Sequence, residues 1–325
     1  MYAAVGVLEK GCYDTPQRID VEGETFHSVG VGDEHTCALS AAGNVYCWGT
    51  NSTGQVVGDG QNNGSVTNSP SAVALRKQAG QLSVGAAHNC VVSIDNEVVC
   101  WGANFVGQSA PDVAATYVSP TVHTPLLKAS STLVVAAGVG ETCISNGTAE
   151  VECFGGNDDI HGRDNASCVV SGQNVFPLPA EVAELSVGAE QACALFENGT
   201  HECWGSVPPT MCGTFGGAWC MGAPSDGCVV TPTLGSAKAV AATEGYWCAA
   251  AEAVICTDSP MLGAQPVPAT KTLAQLGMVG VRLLSASGQK VVCASDSFEV
   301  GCWGPAMSAA LCNNPEDEII QMQFP

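Results

Sequence analysis

A chain of 325 residues with 38 glycines and 17 prolines can bury a large core, and it lacks the Leu, Glu, Lys and Arg runs at helical spacing that a helix bundle needs. Ten basic against 31 acidic residues give a formal charge of −21, which repels nucleic-acid phosphates and anionic membrane surfaces, so no nucleic-acid partner is expected. Eighteen cysteines argue against a reduced cytosolic protein without a metal array, and no uninterrupted apolar run reaches the roughly 18 residues of a membrane span.

Taken in chain order, the predicted elements are strands and turns. The N-terminal stretches "YAAVGVLEKGCYD" and "QRIDVE" read as strands, with Cys12 in the first. "CALSAAGNVYCWG" at 37–49 then sets two cysteines ten apart around a small glycine turn, with Trp-Gly directly after the second. It returns as "CVVSIDNEVVCWG" at 90–102, "CISNGTAEVECFG" at 143–155 and "CALFENGTHECWG" at 193–205. Looser copies are "CAAAEAVIC" at 248–256 and "CASDSFEVGCWG" at 293–304. First cysteines at 37, 90, 143, 193, 248 and 293 recur every 50 residues or so, enough for four short strands and their turns, which is one blade of a β-propeller. Segments between copies, such as "GDGQNNGSVTNSPSAVAL", suit an outer strand plus loops. Residues 206–235 hold Cys212, Cys220 and Cys228 in Gly/Pro-rich sequence and read as an irregular insertion loop.

Each first cysteine is preceded by an alternating strand. Eight positions earlier stand Val29, Leu82, Val135, Leu185 and Val240, and six positions earlier Val31, Val84, Ala137, Val187 and Ala242. Between them lie Gly30, Ser83, Ala136, Ser186, Ala241 and Ala286. One face is apolar and the other uniformly tiny, as an innermost strand converging on an axis requires. The C-terminal "EIIQMQFP" places Ile320 and Met322 in the two apolar positions and is therefore read as another inner strand, with the N-terminal strands completing its blade. The expectation is an all-β, seven-bladed propeller of four-stranded blades, a single domain over 1–325, closed by residues 318–325 and 1–25 sharing one blade.

Within the hairpins, Ala38 should face Tyr46, Leu39 Val45 and Ser40 Asn44, leaving Ala41-Ala42-Gly43 as a three-residue loop. Directly opposed residues sit near disulfide distance, so Cys37–Cys47, Cys90–Cys100, Cys143–Cys153, Cys193–Cys203, Cys248–Cys256 and Cys293–Cys302 read as cross-strand staples. A zinc site would want two-residue spacing and four converging ligands, and a redox pair Cys-x-x-Cys. Cys12 and Cys312 are expected to lock the ring at its closure. Cys168, Cys212, Cys220 and Cys228 admit three connectivities, with Cys220–Cys228 and Cys168–Cys212 preferred.

The stretch "VGVGDEHTCALSAAGNVYCWGTNSTGQVVGDG" resembles the repeat of the regulator-of-chromosome-condensation family, whose units read Gly-x-x-His-(Thr/Ser)-Cys/Ala-Ala-Leu, then Gly-x-Val-Tyr-x-Trp-Gly, then Asn-x-x-Gly-Gln-Leu-Gly. The likeness is strong in the first two copies and loose in the fifth and sixth. It implies a seven-bladed propeller, and the cysteine pairing resembles extracellular and secreted members rather than the nuclear exchange factors. No functional residue carries over, because the matched positions are the repeat itself.

Other candidates have simpler readings. His35 and His88 each stand two before a first cysteine, where other copies carry Glu141, Gln191, Tyr246 and Val291, so they are framework residues rather than catalysts. Trp48, Trp101, Trp204 and Trp303 share one repeated position and should pack between blades. Asp158, Asp159 and Asp164 lack the alternation of a calcium loop and read as a solvated turn. Asn51, Asn63, Asn146, Asn165 and Asn198 are N-glycosylation acceptors by sequence, Asn146 and Asn198 at equivalent hairpin tips.

No catalytic triad order, phosphate loop or paired carboxylates emerge, and neither a metal nor a cofactor is expected. The functional expectation is a non-enzymatic, extracellular or cell-surface propeller. It would act as a structural or protein-interaction subunit of a surface or filamentous assembly, with copies of itself or other surface proteins as partners. The alternative is a secreted inhibitor or a ligand- or glycan-binding propeller working through the 206–235 insertion. A secretory leader is expected to lie outside this sequence.

Overall fold

Strands, not helices, follow from a chain whose apolar residues alternate with small ones, and among the described residues of the computed structural model all 25 elements are β-strands paired antiparallel. The structure describes residues 2–3, 17–60, 64–125, 127, 133–156, 174–189, 191–205, 237–242, 246–251, 253–258, 270–272, 283–287, 291–295, 299–303 and 320–323. β1 (Tyr2–Ala3) pairs with β2 (Gln17–Arg18). The first sheet is β3 (Phe26–Val31), β4 (His35–Ser40), β5 (Val45–Thr50) and β6 (Val66–Ala72), in that order. The second is β7 (Ala79–Val84), β8 (His88–Ser93), β9 (Val98–Ala103) and β10 (Tyr117–His123). The third is β11 (Val134–Ala137), β12 (Glu141–Ser145), β13 (Glu150–Gly155) and β14 (Asn174–Pro177). The fourth shows three strands among the described residues, β15 (Val182–Val187), β16 (Gln191–Phe196) and β17 (His201–Gly205). The fifth is β18 (Ala239–Ala242), β19 (Tyr246–Ala250), β20 (Ala253–Asp258) and β21 (Thr270–Thr272). The sixth is β22 (Leu283–Ser287), β23 (Val291–Ser295), β24 (Glu299–Trp303) and β25 (Ile320–Gln323).

The core lies between sheets. Leu39, Val45 and Val56 of the first pack with Val91 and Trp101 of the second. Val92 and Val98 pack with Val135, Ile144 and Phe154 of the third, and the plan continues through the fourth to Trp247 of the fifth. Successive first strands approach closely. A Cβ on Gly30 would run into the Val84 side chain, and the hydroxyls of Ser83 and Ser186 accept the backbone N–H of Ala137 and Ala242 across the boundary at 2.8 Å. Tiny residues at these positions therefore serve contact with the next sheet.

The hairpins hold one register. Cys37 faces Cys47, Ala38 Tyr46 and Leu39 Val45, and Ser40 N–H donates to Asn44 O at 2.8 Å to close the loop, where Gly43 takes φ 81°. In the second hairpin Asn96 takes that role at φ 62°, a conformation Asn tolerates better than most side chains. Disulfides join Cys37–Cys47, Cys90–Cys100, Cys143–Cys153 and Cys193–Cys203, with Cα separations of 4.0 to 4.1 Å. Cys248 and Cys293 are disulfide-bonded as well, opposite Cys256 and Cys302 in the strand register.

One expectation is corrected. Ile320–Gln323 is the fourth strand of the sixth sheet, with Met322 opposite Val300 and Ile320 opposite Cys302, and is not the inner strand of a closing blade. The physical reason is Gln321: between the two apolar positions every inner strand carries Gly, Ala or Ser, and a glutamine cannot enter that close approach. Among the described residues, Tyr2–Ala3 pairs with Gln17–Arg18, and no pairing joins the two termini in one sheet.

Candidate interaction surface

Each sheet ends in two rims. One carries the tips of the cysteine hairpins. The other carries the turn from first to second strand and the loop after the third, tied together where Thr50 N–H donates to Glu34 O at 2.8 Å and Ala103 N–H to Ala87 O at 2.9 Å. In the first three sheets the glycine after Trp48, Trp101 or Phe154 makes that junction. Gly49, Gly102 and Gly155 take φ between 106° and 131°, and a Cβ there would strike the backbone of the neighbouring turn.

Two loops on this second rim share one frame. In the first sheet, Asn51 Oδ1 accepts from Val56 N–H at 2.8 Å and Val57 N–H at 3.2 Å, and Gln55 Oε1 accepts from Thr53 N–H at 2.7 Å. In the second, Asn104 Oδ1 accepts from Ser109 and Ala110 N–H while its amide donates to the carbonyls of Ala110, Val113 and Ala115. Gln108 Oε1 accepts from Val106 N–H at 3.1 Å. Gln55 and Gln108 each extend this frame to the next sheet: Gln55 O accepts from Asn89 Nδ2 and Trp101 Nε1, and Gln108 O from the Thr142 hydroxyl. With both ends anchored, the loops hold still what they present. The first presents Ser52, while Thr53 is buried with its hydroxyl on Gln55 Oε1 and Ala87 O. The second presents Phe105, 57% exposed, and Val106, 49% exposed, with Phe105 edge-on to Tyr117 at 5.3 Å.

His35 and His88 belong to this frame. His35 Nε2 donates to Asn89 Oδ1 and His88 Nε2 to Thr142 Oγ1, both at 2.8 Å, since the Asn89 amide and the Thr142 hydroxyl are spent as donors. Burial pushes the imidazoles down to about 4 and about 3, so both are neutral near pH 7. Their Nδ1 atoms have no hydrogen-bond partner among the described residues. Neither ring is open to a substrate. Trp48, Trp101 and Trp204 are buried, as interior packing requires. A buried His123–Glu152 contact at 3.1 Å joins the second and third sheets, and the histidine ring lies 4.4 Å from Phe154.

The asparagine acceptors divide. Asn51 is buried and spent on its loop. Asn146 is buried too, its carbonyl accepting from the Thr148 hydroxyl at 2.6 Å, so neither side chain has an exit for a glycan. The equivalence with Asn198 fails because the third hairpin turns earlier, at Gly147. Asn198 is exposed. Cys12, Cys168, Cys212, Cys220, Cys228, Cys312, Asn63, Asn165, Asp158, Asp159, Asp164, the Trp303 side chain and the 206–235 insertion lie outside the described residues. Among the described residues no helix is long and apolar enough to cross a membrane, and no three His, Cys, Asp or Glu side chains converge on a metal position.

Sequence reasoning missed Asn89, Thr142, Asn104, Gln108 and the Phe105-Val106 pair. The signal was present in the repeated Asn-x-x-Gly-Gln of 51–55 and 104–108, whose two middle residues change from polar to apolar.

A model of the regulator of chromosome condensation (RCC1) repeat matches residues 26–55 and 81–108. A segment of 97 residues, 29% of this chain, is 37% identical to the human protein named "Probable E3 ubiquitin-protein ligase HERC6" and spans 10% of it. The matched segments cover about a tenth to a sixth of such curated relatives. Human WBSCR16 shares the fold with a TM-score of 0.74 at 16% identity, over 96% of this chain and 84% of that one. Prp20p of Saccharomyces cerevisiae, described with its binding to Gsp1p and histones, gives 0.61 at 17% identity, over 82% of this chain and 68% of its own.

Proposed function

Because the chain is an RCC1-repeat β-propeller, we propose that it is a non-enzymatic protein-interaction propeller of an oxidising compartment. It would form one domain over 1–325 and serve as a subunit of an extracellular or cell-surface assembly. The observation that carries this reading is the staple plan. Buried disulfides stand at one position in four successive sheets, and a protein kept reduced would have no use for them. The rigid loop frames support the interaction role, since a fold whose turns are locked from sheet to sheet can vary what it presents without losing shape. Prp20p, with the same fold, binds proteins. Exposed Asn198 is the described position at which a glycan would be compatible with this compartment.

The test is on native material. Alkylation without reduction, followed by intact mass, should leave the paired cysteines unmodified, and cross-linking should tie the chain to a stoichiometric neighbour. Free thiols throughout the living cell would remove the compartment, and a free monomer would remove the assembly.

A further inference from the structure

We propose that the loop rim of the first two sheets docks a basic protein segment with an apolar anchor. This rests on the reading of the chain as an interaction propeller and names the surface and the partner's chemistry. Three observations carry it.

Phe105 and Val106 stand out of a loop whose frame is fixed by hydrogen bonds from Asn104 and Gln108, so their exposure is built in. Val66, 53% exposed, is the first-sheet equivalent of Tyr117, which the Phe105 ring meets edge-on. Phe105, Val106 and Tyr117 thus form the apolar feature of the second sheet's loop, with Val113 in the same loop and Val106 against Gly140 and Gly156 of the third sheet, while Val66 holds the corresponding place on the first sheet.

The second observation is sign. Exposed charges on this rim are Asp33, Glu34, Asp59 and Asp112. Arg76, Lys77 and Lys238, the cations whose side chains are described, lie at the other rim. There Lys77 pairs with Asp95 and Glu97 at the second hairpin, and Lys238 N–H bonds to Ala250 O at the foot of the fifth sheet. The third is the formal charge of −21, which attracts a cationic partner from a distance and repels an anionic one. An apolar anchor flanked by Lys or Arg fits all three. A nucleic acid or an acidic peptide fits neither the sign of this rim nor the net charge.

The probes are two fluorescein-labelled Lys-rich peptides of equal length and charge, one with a central Trp-Leu pair and one with Ser-Ser in its place, titrated against the oxidised full chain. The wild type should bind the Trp-Leu peptide about tenfold more tightly. Phe105→Ser with Val106→Thr, which copies the residue types of the first-sheet loop and is thereby kept foldable, should abolish that difference. Glu34→Gln with Asp112→Asn should weaken both peptides and flatten their salt dependence. Equal binding of the two peptides by the wild type, or a preference that survives the loop swap, overturns the proposal. So does a preference lost on Ile94→Ser at the opposite rim. A native neighbour that cross-links around Ile94 leaves the interaction reading standing and sinks this surface. A peptide preference in a chain found only as a free monomer does the reverse.

Discussion

The boundary between the first and second sheets and that between the fourth and fifth solve one problem differently. In the first, His35 donates to Asn89, whose amide donates to Gln55 O, where Trp101 also donates, so polar groups bridge the boundary through its buried middle. In the second, Gln191 stands at the histidine position and Trp247 at the asparagine position. Trp247 packs with Leu195, Val240 and Ala249, and its ring meets His201 edge-on at 6.0 Å. The axial contact persists in both: Val84 against Gly30, and Ala242 N–H on the Ser186 hydroxyl. Close approach near the axis is thus obligatory, whereas the polar bridge can be exchanged for apolar packing. The exchange needs two changes together, because donor and acceptor sit in different repeats 54 residues apart. A single change would strand a buried polar group at a cost of about 1–3 kcal/mol.

The largest expected effect breaks the bridged boundary outright. Trp101→Ala removes a fully buried side chain and the donor to Gln55 O, and should cost about 3–5 kcal/mol in urea unfolding with disulfides intact. Trp101→Phe should cost more than Trp48→Phe, since Trp48 Nε1 has no hydrogen-bond partner among the described residues. Equal costs for the two would mean the indole bond contributes nothing.

The staples provide the contrast. They are alike in both regions, so Cys90→Ala with Cys100→Ala, and Cys193→Ala with Cys203→Ala, should each cost roughly 2–3 kcal/mol, as short closed loops do. A large inequality between the pairs would show that the sheets differ in more than their boundaries.

The polar bridge itself is tested by a cycle. Asn89→Ala strands His35 Nε2 and should cost about 2 kcal/mol, but much less in a His35→Phe background. Strictly additive losses would refute the coupling.

What the sequence revealed and what it hid follow the same division. The tiny residues at 30, 83, 136, 186 and 241 are legible because that constraint acts on the position opposite the first cysteine in each repeat; in the sixth sheet the turn after the first strand is one residue longer, so Ser285 and not the expected Ala286 stands opposite Cys293. The hairpin register is legible too, set by cysteines ten apart. The His35–Asn89 and His88–Thr142 bridges are not, since each partner looks sporadic when copies are aligned by themselves and only the pair has meaning. Ile320 and Met322 alone imitate an inner strand, and it is Gln321 between them that excludes the close approach and leaves this strand at the outer edge of the sixth sheet. The Phe105-Val106 pair is silent in its own stretch of sequence, since its meaning comes from comparison with Ser52 and Thr53, held by the same hydrogen-bonded frame.

The smallest effect tests whether the later boundary keeps a trace of polar bridging. Glu184 lies nine before its first cysteine, where the second sheet has Gln81, whose Oε1 accepts from Val135 N–H at 3.2 Å and whose amide donates to Val135 O at 3.4 Å. Burial pushes the Glu184 carboxyl up to about 7, against a pull downward from its bond to the Val240 backbone. The neutral acid is therefore the form that suits the folded boundary. Below about pH 4.5, folded and unfolded chains both hold the proton and stability is full; it falls as pH rises through 7 and then levels. His35 and His88 run the opposite way, lowered to about 4 and 3 by burial, so their contribution is full above pH 6.5 and is lost as pH falls toward those values. Glu184→Gln supplies what the neutral acid supplies without the titration. Its stability relative to wild type should be unchanged at pH 4 and higher by about 1 kcal/mol above pH 7.5, once solvent screening of a half-buried group is allowed for. Gln81→Glu should import the same pH dependence into the boundary between the second and third sheets. A Glu184→Gln gain equal at both pH values would show that the carboxyl is ionised throughout and that this boundary relies on apolar packing alone.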